Sequence, residues 1–96
     1  MWVLLLGCLS TIWAQKSVSE ITGTVLDENK EPLIGVNIVI KDNPGLGTIT
    51  NVDGKFRIKA TSYQILVFSY IGYDKMEVPI TGNKEINVQM KPSSNS

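Results

Sequence analysis

The sequence predicts an all-β chain, a small antiparallel sandwich of about seven short strands behind a cleavable export leader. Three observations lead there. Past Gln15 no segment carries apolar residues at helical spacing over three turns. Short runs of β-branched and aromatic residues alternate with polar ones. Gly, Pro, Asn and Asp punctuate those runs at regular intervals.

The first stretch is an address. Trp2 to Ala14 carry no charge. The stretch suits the apolar core of a secretory signal and is shorter than the roughly 20 residues a membrane-spanning helix needs. Ala14 supplies a small residue for the signal peptidase, so cleavage is expected after it. The expected organisation is a signal peptide over 1–14, a linker over 15–19, a sandwich over 20–91 and a polar tail over 92–96. Leu5-Leu6-Gly7-Cys8 also resembles a lipoprotein cleavage box, in which the Cys8 thiol would be acylated.

The strands follow in order. Ile21 to Leu26 place Ile21, Gly23 and Val25 on one face. The polar stretch Asp27 to Pro32 turns the chain. In Val36 to Lys41, Val36, Ile38 and Ile40 alternate with Asn37, Val39 and Lys41. The breaker-rich stretch Asp42 to Gly47 is expected to be a loop, and Thr48 to Thr50 a short strand. Asp53-Gly54 predicts a hairpin into Lys55 to Lys59, with Phe56 and Ile58 inward and Lys55, Arg57 and Lys59 in water. Ile65 to Tyr70 is the most apolar run and is expected at the centre, covered on both faces. Tyr73 to Ile80 is expected at an edge, because Pro79 cannot donate to a ladder. Glu85 to Met90 closes the domain with Ile86, Val88 and Met90 inward. The whole is the pattern of an immunoglobulin-like or transthyretin-like sandwich.

Composition excludes several functions. The chain has 96 residues with formal net charge +0 and no basic cluster, which argues against a nucleic-acid partner. It has no histidine, so the commonest general base and metal ligand is missing. Its one cysteine, Cys8, lies in the leader. No enzyme activity, cofactor or metal is expected. Asn51 and Asp53, with Asp27, Glu28, Asn29 and Asp42, are weighed as calcium ligands, but a turn bonding its own backbone explains them better. Asp27, Glu28 and Glu31 lie in an exposed turn with nothing to raise a pKa. Phe68, Tyr70 and Tyr73 offer either a sugar-stacking platform or core packing, with the tyrosine hydroxyls on backbone at a bend. Core is preferred, because so small a domain cannot spare its aromatics. Gly72 is read as relief of crowding between the tyrosines. The Lys55, Arg57 and Lys59 stripe could dock an acidic partner, but the preferred reading is a solvated face that discourages edge pairing.

Three runs of motif together resemble a known family. Gly23 with Pro32-Leu33-Ile34-Gly35, then Asn51-Val52-Asp53-Gly54-Lys55-Phe56, then Phe68-Ser69-Tyr70-Ile71-Gly72-Tyr73, occur in the order and spacing of carboxypeptidase regulatory-like domains. The last run resembles the version fused to SusC/RagA-type TonB-linked outer-membrane receptors. The resemblance implies a periplasmic, non-catalytic accessory domain ahead of a plug and barrel, with envelope proteins as partners, including a surface lipoprotein. The chain ends at Ser96, before any plug or barrel, so the expectation is a receptor fragment or else a free-standing carbohydrate- or protein-binding module.

Overall fold

The computed structural model describes residues 18–94. The expected leader, with Cys8, and most of the expected linker lie outside the described residues. Seven strands occur: β1 (Ser19–Leu26), β2 (Asn37–Ile40), β3 (Asn43–Ile49), β4 (Lys55–Ala60), β5 (Ile65–Ser69), β6 (Met76–Pro79) and β7 (Val88–Gln89). They form a three-stranded sheet in the order β4-β1-β7 and a four-stranded sheet in the order β3-β2-β5-β6. The fold is therefore the all-β sandwich that the alternation predicts.

The core lies between the sheets. β1 contributes Ile21 and Val25, β2 Ile38 and Ile40, β4 Phe56 and Ile58, and β5 Leu66 and Phe68, all buried. These positions are an even number of residues apart within each strand, so a sheet buries one face and wets the other. Phe56 and Phe68 meet across the sheets edge to face, with ring centroids 5.6 Å apart. Met90 closes one end with no exposed surface.

Four expectations change. Asp42 to Gly47 is not a loop: the chain turns at Lys41-Asp42, and β3 already begins at Asn43. The breakers there sit in a register shift opposite Val39 and Ile40, where an irregular edge tolerates Pro44 and Gly45. Asp53-Gly54 does not close a hairpin, because β3 and β4 belong to different sheets. Asn51 shapes that turn instead: its Oδ1 accepts from the Asp53 and Lys55 N–H groups at 2.9 and 3.0 Å. β5 is central in its sheet but covered on one face only, with Ile65, Val67 and Ser69 half-buried on the outer side. No helix lies over them among the described residues.

The fourth change concerns direction. β7 runs parallel to β1, while every other strand pair is antiparallel. The chain reaches β7 by crossing from β6 in the other sheet, so no hairpin dictates its direction. Pro79 does lie on an edge strand.

Candidate functional site

The first two motif segments meet at one buried hydroxyl. Thr50, 2% exposed, is the one buried polar residue among those described. Its Oγ1 donates to the Leu33 carbonyl at 2.6 Å and accepts from the Val36 N–H at 2.9 Å. Its own N–H donates to the Val36 carbonyl, and the Gly35 N–H donates to the Thr50 carbonyl. Leu33 in turn donates its N–H to the Val25 carbonyl. One threonine thus ties the Leu33–Val36 turn to the end of β3. The motif reading missed it, although its place just before Asn51-Val52-Asp53-Gly54 was a usable signal.

The remaining motif residues take structural places around this pin. Gly23 lies where a Cβ would overlap the Ile86 carbonyl and press on the Phe56 ring, so its lack of a side chain lets the segment leading into β7 approach β1. Pro32 bridges Leu26 and packs against Gly54. Asp53 is exposed in the turn, Phe56 and Phe68 are core, and Ser69 pairs with Asn37. Because Phe68 has no exposed surface, no three-ring sugar platform exists.

Gly72 has φ +84, and no atom lies within 4 Å of the place a Cβ would take, so backbone conformation rather than crowding requires glycine there. Tyr70 and Tyr73 pack as tilted rings with centroids 5.6 Å apart, against the core. The Tyr73 hydroxyl does not bond backbone; it donates to Glu28 Oε1 at 2.7 Å. That hydrogen bond, reinforced by partial burial and by the negative charges of Glu28 and Asp27, pushes the phenol up to about 12.

This bend also holds the departing chain. The Ser93 N–H donates to the Gly72 carbonyl and the Asp74 N–H to the Lys91 carbonyl, both at 2.9 Å. Gln89 Nε2 donates to the Asp27 carbonyl at 3.1 Å. Ile71, 90% exposed, stands at the tip, and Ile34 of the first motif run is also exposed. The arrangement is one of packing and backbone hydrogen bonding.

Asp27 Oδ1 accepts from the Asn29 and Glu31 N–H groups at 2.8 and 2.9 Å, the self-bonded turn expected of it. Among the described residues no group of three or more Asp or Glu is placed to hold a metal.

Comparison with known proteins follows this architecture. The CarboxypepD_reg-like domain model matches residues 21–96. The TonB-dependent receptor P39 of Formosa agariphila is 42% identical over 76% of this chain. The TonB-dependent receptor SusC of Bacteroides thetaiotaomicron is 37% identical over 93% of it. The chain spans only 7% and 9% of those receptors' lengths. Among solved structures, a 3-chlorocatechol 1,2-dioxygenase from Rhodococcus opacus superposes with TM-score 0.53 at 10% identity, over 80% of this chain and 59% of that one. That likeness is one of fold alone. With the motif residues in structural roles and the family model covering residues 21–96, the chain belongs to the CarboxypepD_reg-like domain family.

Proposed function

We propose that this chain is the N-terminal accessory domain of a TonB-dependent receptor of the SusC/RagA type, exported and working at the periplasmic side of the outer membrane. The observation that carries the reading is asymmetric coverage. Relatives named as TonB-dependent receptors match 76% and 93% of this chain but only 7% and 9% of themselves. A module of this size within so long a receptor is an appended domain. Its task is protein contact, with the plug and barrel of its receptor and with a surface lipoprotein partner, and it performs no chemistry itself.

In this reading residues 1–14 are the leader, a short linker from residue 15 leads into β1 at Ser19, the sandwich runs on to 91, and 92–96 are the start of the path onward. The hold of Gly72 and Asp74 on the departing chain supports it, since a clamp there sets the direction in which the next segment leaves.

Sequencing the coding DNA beyond the codon for Ser96 tests the proposal. A plug and barrel, in frame or after a frameshift, is the expected result. An unrelated gene would overturn it in favour of a free-standing secreted binding module. Cell fractionation with an antibody to the sandwich is expected to recover it with the envelope; recovery in the cytosol would sink the export reading.

A further inference from the structure

The edges of the two sheets are not equally protected. An open edge strand offers main-chain donors and acceptors to any extended chain, and proteins blunt such edges with charge, proline or shortness. β7 is two residues long. β4 is flanked by Lys55, Arg57 and Lys59, and the outward groups of Lys55 are already bonded to Asn51. On β6 the Ile80 N–H donates inward to the Gln64 carbonyl, so alternation turns Glu77 and Pro79 outward, and Pro79 has no N–H to offer.

β3 differs. It carries no charged residue, and its irregularity with Pro44 lies at its start. From Gly47 to Ile49 the pairing with β2 is regular. Thr50 N–H donates to the Val36 carbonyl, so the ladder's alternation points Thr48 toward β2 and turns the N–H and C=O of Gly47 and Ile49 to the open side. Ile49 and Leu46 are 60% and 57% exposed.

What lies beside this edge defines the occupant. A strand added here would sit about 4.8 Å from β3. It would cover the recess between the sheets that Thr48, Ile49, Asn51, Lys55, Phe56 and Arg57 line. Phe56 is the apolar wall of that recess and Lys55 and Arg57 are its cationic rim. Lys55 has no ion pair among the described residues, and Arg57 reaches only Glu20, at 3.6 Å with both side chains largely exposed.

The geometry points to β3 as a strand-addition site for an extended protein segment in which apolar and acidic residues alternate. The incoming backbone bonds Gly47 and Ile49; its apolar side chains lie on the outer face with Ile49, which is in register with the exposed Asn37, and the alternate face turns its carboxylates toward Lys55 and Arg57 at the rim of the recess. The inference rests on the reading of the chain as a contact domain, and it is independent of which larger protein carries that domain.

The test uses the full chain and a short fluorescein-labelled peptide alternating valine with glutamate, read by fluorescence anisotropy and by amide exchange. Saturable binding is expected, with exchange slowing at the Gly47 and Ile49 amides. Ile49→Pro removes only an outward N–H, so it is expected to weaken binding about tenfold or more while thermal unfolding stays cooperative. If that variant fails to fold, Ile49→Lys, a change at an exposed side chain, replaces it with the same expectation. Lys55→Glu with Arg57→Glu is expected to invert the preference toward the matching valine–lysine peptide. Three results would overturn the site: no binding, equal binding of the two peptides by the unmodified chain, or sedimentation showing a dimer that Ile49→Lys dissolves. The last would make the occupant a second copy. None of these bears on the genomic test above, so the two readings fail separately.

Discussion

The Tyr73 hydroxyl donates to Glu28 Oε1 at 2.7 Å across 45 residues of sequence, joining the bend after β5 to the turn after β1. With Ser93 bonded to Gly72 beside it, this contact locks the end of the sandwich from which the chain departs.

The contact predicts a late phenol titration. Tyr73 is pushed from 10.0 to about 12 by the Glu28 hydrogen bond, with burial and neighbouring negative charge adding to it. Because the folded state holds this proton more tightly than the unfolded chain, the contribution is intact below about pH 10. It is lost as pH rises through 12. Absorbance at 295 nm should show one tyrosine titrating late, and Tyr73→Phe should abolish that phase. Glu28→Gln should move it down; an unchanged titration would mean the hydrogen bond is not its cause.

Thr50 predicts a stability cost at a conservative change. Thr50→Val keeps the shape but strands the Val36 N–H and the Leu33 carbonyl in the core. The expected loss is about 1–3 kcal/mol in urea unfolding. Thr50→Ser keeps the hydroxyl and should cost less. Equal losses for the two variants would remove the hydrogen bonds from the explanation.

Two glycines should behave differently. Gly23→Ala drives a Cβ into the Ile86 carbonyl, where both segments are held by backbone, and is expected to cost about 3 kcal/mol or more. Gly72→Ala meets open space and suffers only from its positive φ, about 1–2 kcal/mol. Thermal melts of the two variants check the order; a larger loss at Gly72 would contradict the close approach at Gly23.

Lys41 Nζ lies 3.1 Å from Glu77 Oε1 across the outer face of β5, with both side chains 48% exposed. Solvent screening limits such a pair, so a double-mutant cycle with Lys41→Ala and Glu77→Ala should give a coupling under about 1 kcal/mol that fades in high salt. A coupling that persists in salt would show that the pair is more shielded than its exposure indicates.

Much of the architecture was legible because face alternation is local. Phe56, Ile58, Ile86, Val88 and Met90 are all buried, as a two-residue period demands. The misreadings share a cause. Asp42 to Gly47 carries breakers that an irregular edge absorbs, and Asp53-Gly54 has hairpin chemistry used to step between sheets. Thr50 escaped notice because a threonine beside a turn is ordinary, and only burial with two long-range partners makes it a pin.

By itself, then, the amino-acid order determined that the chain is β-structured, which side chains face inward, and which family its motifs resemble. Each of these depends on neighbours within a few residues. Tertiary structure alone decided that β7 lies parallel to β1, that Gly23 must admit the Ile86 carbonyl, and that β3 is the unguarded edge. Those are relations between segments distant in sequence, settled only when two sheets close over one core and each backbone hydrogen bond finds its partner.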